Sequence, residues 1–198
     1  DGDIYRKVLK EADLSFETGK PFFNFIMTTS NHKPYTYPDN KIDVPSGTGR
    51  NGAVRYTDYA IQEFLKSAKQ KPWFKNTVFV IMADHCASSA GRWGLDVANY
   101  HIPAIIVNLE NGAQEHIKKL CSQIDVFPTL FAQLGWNYES NLFGRDVMKM
   151  DKSDERAFIG NYRKLGLLKG SELMVLGDQK QANFYQWKSM DNSLQSMP

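Results

Sequence analysis

Apolar residues Ile4, Val8, Leu9 and Ala12 recur at helical spacing behind Asp3, a residue type that caps helices, and predict an amphipathic helix ending before Gly19. The period then changes. Pro21 introduces Phe22-Phe23-Asn24-Phe25-Ile26-Met27, a short apolar run of the kind that forms a buried strand in a mostly parallel sheet. Residues 28–52 are rich in Asn, Pro, Ser and Gly and read as a long surface loop, the sort of segment that often carries function. Helical spacing returns with Ala53, Tyr56, Ala60, Ile61, Phe64, Leu65 and Ala68 on one face, and Pro72 follows the end. Residues 77–83 predict the central strand and 103–107 another, while 124–134 predict a helix interrupted early by Pro128. After Gly144 the segments are short: 157–162, 165–169, 172–176 and 182–187, separated by Gly, Lys and Asp turns, predict an antiparallel meander.

Strands alternating with helices give an α/β fold, with a mostly parallel sheet flanked by helices over residues 1–146. A small antiparallel β subdomain is expected over 147–188, and 189–198 reads as a polar tail that frays and has no role. The 24 basic and 22 acidic residues nearly cancel, which excludes the one-sided positive field of a nucleic-acid binder. No apolar run approaches the roughly 20 residues of a membrane span, and Asp1-Gly2-Asp3 lacks the features of a signal peptide. Any membrane attachment is expected to come through segments preceding these residues. A helix that begins almost at once, with no initiator methionine, reads as an excised domain. Cys86 and Cys121 are too few for a disulfide framework and do not fix the compartment.

The chemistry concentrates at Asp84-His85, directly after the strand that ends at Ala83, because ligands of open α/β sheets gather at the carboxyl ends of strands. A carboxylate oxygen beside an imidazole nitrogen suits a divalent ion such as zinc or manganese. An Asp capping the following turn beside a hydrogen-bonded His explains the pair equally well. His32, just past the first predicted strand, is expected at the same sheet edge. His101 precedes the 103–107 strand and is expected at its amino end, farther from that edge. Arg92 and Trp93 offer a cation and a stacking face for a phosphate-bearing headgroup, or a loop residue and a packing anchor. His116 lies in a polar segment and reads as a solvated surface residue. Gly47, Gly49 and Gly52 match G-x-G-x-x-G before a helix, but Lys41-Ile42-Asp43-Val44-Pro45-Ser46 is no strand, so turn-making is the better reading than dinucleotide binding.

Several stretches in this order resemble the lipoteichoic acid synthase-like and sulfatase-like branch of the alkaline phosphatase superfamily. They are Pro21-Phe22-Phe23 with Ser30-Asn31-His32-Lys33-Pro34-Tyr35, Tyr56-Thr57-Asp58, Val80-Ile81-Met82-Ala83-Asp84-His85, and His101-Ile102-Pro103-Ala104-Ile105-Ile106. Ser122-Gln123-Ile124-Asp125-Val126-Phe127-Pro128-Thr129-Leu130 and Asn141-Leu142-Phe143-Gly144-Arg145 continue the series. The resemblance implies that Asp84 and His85 bind one divalent metal ion, manganese or zinc before magnesium or calcium. It also implies that His32 contacts the substrate phosphate and that Ser89 lines the same pocket. The remaining ligands, an acidic residue and the nucleophile, would precede Asp1, leaving the fragment inactive by itself. The implied protein is an extracytoplasmic, membrane-anchored enzyme acting on a phosphate or sulfate ester, lipid-linked in some members.

Cys86 stands where many relatives have Gly. A formylglycine role is excluded, since that motif needs Pro or Ala at the third position and Arg at the fifth, where this chain has Ser88 and Ala90. The leading expectation is phosphoglycerol or phosphoethanolamine transfer, or phosphodiester hydrolysis. Sulfate-ester hydrolysis is the enzymatic alternative, and a binding module with a degenerate site is the non-catalytic one.

Overall fold

The first helical periodicity forms α1, Gly2–Glu17, in a computed structural model that describes residues 1–87, 94–109 and 114–198. The second forms α2, Arg50–Ala68, starting three residues before Ala53. These helices belong to a compact unit spanning Asp1–Thr77, and Tyr5 stacks on Phe64 with ring centroids 4.8 Å apart. Ala12 on one helix and Ala53, Tyr56, Ala60, Phe64 and Ala68 on the other are buried. Small residues let the two backbones approach, and the aromatics fill the space between. Tyr37, from the connecting loop, stacks on Tyr56 at 5.0 Å. Its hydroxyl sits where a Cβ on Gly52 would come within 2.3 Å. The glycine pattern therefore serves packing and a turn: Gly49 has φ 133° and precedes α2, and Gly52 makes room for a tyrosine.

Residues 22–27 depart from expectation. They form no strand and pair with none among the described residues, and Phe23, Phe25 and Met27 are largely exposed. On the alternate side of the run, Phe22 meets Trp73 edge-on at 6.1 Å. Trp73 is itself buried and donates from Nε1 to Asp13, which also receives Lys71.

The second compact unit, Val78–Pro198, holds both described sheets. β1, Phe79–Met82, pairs with β2, Ala104–Val107, in antiparallel register from Phe79↔Val107 to Met82↔Ala104. The α/β class holds, with antiparallel pairing wherever a ladder is described. A helix α3, Val126–Gln133, follows a short 3-10 turn over Gln123–Asp125, and Pro128 falls in its first turn, where its missing N–H leaves no bond unmade.

The meander forms as five consecutive antiparallel strands: β3 Ala157–Gly160, β4 Leu165–Lys169, β5 Glu172–Leu176, β6 Ala182–Lys188 and β7 Ser193–Ser196. The expected frayed tail thus contains a strand. Asn192, at φ 56°, makes the turn, Asp191 accepts the Ser193 N–H and hydroxyl, and Leu194 packs partly buried against the core. A polar four-residue strand with one inward side chain leaves almost no period-2 signal, which is why composition misreads it. Leu95 and Val97 share one buried cluster with Ala157, Ile159, Leu168, Leu173 and Val175, so the meander packs on residues that precede it.

Candidate active site

At the end of β1 the ladder makes one last bond, from the Ala83 N–H to the Pro103 carbonyl at 3.1 Å, and the chain then bends. Asp84 Oδ1 accepts the N–H of His85 at 2.9 Å, which fixes the carboxylate over its own turn. His85 Nδ1 lies 2.8 Å from the Cys86 carbonyl oxygen. A carbonyl only accepts, so this contact assigns a ring proton to Nδ1. Nε2 lies 3.5 Å from Asp84 Oδ2, and the two side chains are 55% and 73% exposed.

The spacing fits a metal. Two ligands each about 2.0–2.1 Å from one tetrahedral ion stand roughly 3.3 Å apart, close to the observed separation, and an Nδ1–H bonded to a carbonyl is the usual orientation of a ligating histidine. Among the described residues no group of three or more His, Cys, Asp or Glu gathers that could hold a metal ion. Cys86 is a half-buried free thiol whose carbonyl, not its sulfur, has the described role. Cys121 is also free.

Two features hold the bend. Gln123 Nε2 donates to the carbonyls of both Ala83 and Asp84, at 3.0 and 2.8 Å. Gln123 in turn opens the 3-10 turn whose last residue, Asp125, has a side chain with 0% exposure. Asp125 receives both guanidinium nitrogens of Arg156 and the backbone N–H groups of Ser122 and Arg145, all at 2.8 Å. Burial pushes its carboxyl up, but Arg156 and the two backbone donors outweigh that and hold it below its ordinary value. Ser122 Oγ also accepts the Phe158 N–H, which ties the turn to β3.

His101 is exposed and closes the short 3-10 turn Val97–Tyr100 before β2. Antiparallel pairing reverses its expected position. The amino end of β2 lies beside the carboxyl end of β1, so His101 emerges at the same end of this ladder as Asp84.

In the first unit, His32 is exposed within a tight turn, its N–H bonded to Thr29 and its carbonyl receiving Tyr35 N–H. Asp1 organises the base of that turn. Its Oδ1 accepts the N–H groups of Thr29 and Ser30, and its Oδ2 accepts the Thr57 hydroxyl. Ser89, Arg92 and Trp93 lie outside the described residues. His116 is exposed, as its polar neighbourhood implies.

Sequence reasoning missed Gln123, Arg156 and Asp1. The first lay inside a stretch read as structural, the second in a segment read only for strand period, and the third at a terminus. Spacing carries no signal for pairs 31 or 39 positions apart.

The sulfatase family model matches residues 1–136. Lipoteichoic acid synthase 1 of Bacillus subtilis (strain 168) is 26% identical over 161 residues, covering 70% of this chain and 25% of that protein. Phosphoglycerol transferase I of Citrobacter koseri is 33% identical over 96 residues, covering 43% of this chain and 13% of that protein. Among solved structures, a protein in the alkaline phosphatase superfamily from Vibrio parahaemolyticus superposes with a TM-score of 0.87 at 30% identity, over 100% of this chain and 49% of that one. The chain belongs to the sulfatase family, with an alkaline phosphatase-like α/β fold. The lipoteichoic acid synthase and the phosphoglycerol transferase are much longer, and the chain spans a quarter or less of either.

Proposed function

We propose that these residues are part of a phosphoryl-transfer enzyme, of the phosphoglycerol or phosphoethanolamine transferase type or a phosphodiester hydrolase, with Asp84 and His85 supplying two ligands to one divalent ion. The observation that carries this reading is the convergence of Asp84 Oδ2 and His85 Nε2 at 3.5 Å on the bend after β1. A manganese or zinc ion there would supply Lewis-acid polarisation of a phosphoryl oxygen and favour a deprotonated nucleophile. In this reading His32, Ser89, His101 and Arg92 are substrate contacts, a role that rests on the family resemblance, and Ser89 and Arg92 lie outside the described residues. The nucleophile and an acidic co-ligand belong to the length of the relatives that this chain does not span. The 198 residues alone therefore bind metal weakly and turn over no phosphodiester. Relatives named for lipoteichoic acid and phosphoglycerol favour a phosphate ester over a sulfate ester, and an extracytoplasmic, membrane-anchored whole protein acting on a lipid-linked substrate rests on the family resemblance alone.

Manganese titrated into the isotope-labelled chain tests the site through paramagnetic broadening of amide resonances. Broadening should centre on Asp84 and His85 and vanish in His85→Ala. Broadening that ignores His85→Ala overturns the metal assignment. Turnover of a model phosphodiester by the chain alone, abolished by the same substitution, overturns the claim that its site is partial.

A further inference from the structure

We propose that Gln123 is a positioning residue for the Asp84–His85 turn, a role that rests on the metal reading of that turn for its functional meaning. Successive carbonyls of an extended strand point to opposite sides. One side-chain nitrogen reaches both the Ala83 and the Asp84 oxygens, at 3.0 and 2.8 Å, only because the backbone bends between them. The two N–H groups of a primary amide match the two oxygens one for one. Releasing them lets residue 84 continue along the strand direction, which carries its carboxylate away from His85.

Shorter or acidic side chains do not repeat this. Asn is one methylene shorter, and Glu at neutral pH offers no donor and sets a negative charge against two carbonyl oxygens. The base of Gln123 is rigid. Its 3-10 turn carries a reciprocal capping pair between Ser122 and Asp125, and Asp125 is locked by Arg156. The Gln123 residue itself is exposed. An exposed side chain whose described bonds go to two backbone oxygens of the candidate metal turn contributes little to the core and much to the shape of that turn.

The test separates position from stability. Gln123→Glu, Gln123→Ala and Gln123→Lys are compared in the full 198-residue chain. Hydrogen exchange is followed at the Ala83 and His85 amides, the urea midpoint by circular dichroism, and manganese broadening as above. Gln123→Glu and Gln123→Ala should speed exchange at these two amides about tenfold, the scale expected for a lost pair of hydrogen bonds. They should leave the urea midpoint where it was and raise the manganese concentration for half-broadening by a similar factor. Gln123→Lys keeps N–H donors at that reach and should restore slow exchange.

Unchanged exchange in Gln123→Ala overturns the proposal. So does a fall in the urea midpoint that accelerates exchange throughout the unit. A wild-type chain that shows no manganese broadening at His85 overturns the metal reading instead, while the exchange data still decide whether Gln123 holds the turn.

Discussion

Asp84 and Asp125 lie in the same compact unit, each beside a basic side chain, and their surroundings are opposite. Asp125 has no exposed side-chain surface and receives four N–H donors, which fills the acceptor capacity of a carboxylate. Asp84 is 73% exposed, accepts its neighbour's N–H on one oxygen and turns the other toward His85 Nε2 at 3.5 Å. A saturated buried carboxylate builds the framework, and an exposed one with few donors is left open to a ligand in the proposed reading. Residue type is shared by both sites, so only the donor count tells them apart.

The sharpest way to break this contrast is at the framework. Arg156→Ala leaves Asp125 charged and buried without its partner, and unfolding of the Val78–Pro198 unit should become easier by about 3–5 kcal/mol in urea titrations. A loss below about 1 kcal/mol would mean that Asp125 finds water or another donor, and the contrast would fail. Acid gives the next effect. A carboxyl depressed in the folded state contributes stability that is full above its unfolded value, near 3.8, and is lost as pH falls through the lower folded value. Urea midpoints taken down from pH 5 should therefore fall below about pH 4, and Asp125→Asn should flatten that fall. His85→Ala should be the mildest, within about 0.5 kcal/mol of the parent, because it removes an exposed side chain. A large loss there would reclassify His85 as framework.

Much of the fold was legible because burial imposes a period. The two long helices repeat apolar residues at helical spacing, the strand before Asp84 is a continuous apolar run, and the four segments that become β3 to β6 are short apolar stretches between turns; the structure has all of them within a few residues. β7 was not legible, because Leu194 alone points inward. The run at 22–27 was misleading in the other direction. Its apolar content promised a paired strand, but pairing needs a partner, and none among the described residues supplies one.

The site followed the same rule. Asp84 and His85 were visible as adjacent ligand types after a strand, and the structure joins them. His101 was visible as a residue but misplaced, because sequence does not say that β2 runs against β1. The bonds from Gln123, Arg156 and Asp1 join distant positions and exist only in three dimensions.

The unpaired run at 22–27 also bears on how this polypeptide behaves at high concentration. Phe22-Phe23-Asn24-Phe25-Ile26-Met27 has six residues without charge, proline or glycine, and its alternate aromatic side chains face solvent. That composition is what steric-zipper stacking into fibrils requires. Lys20 and Pro21 stand immediately before it, a charge and a residue with no N–H, and act as gatekeepers against growth from that end. On the other side the first charged residue is Lys33, so colloidal protection of this segment is one-sided.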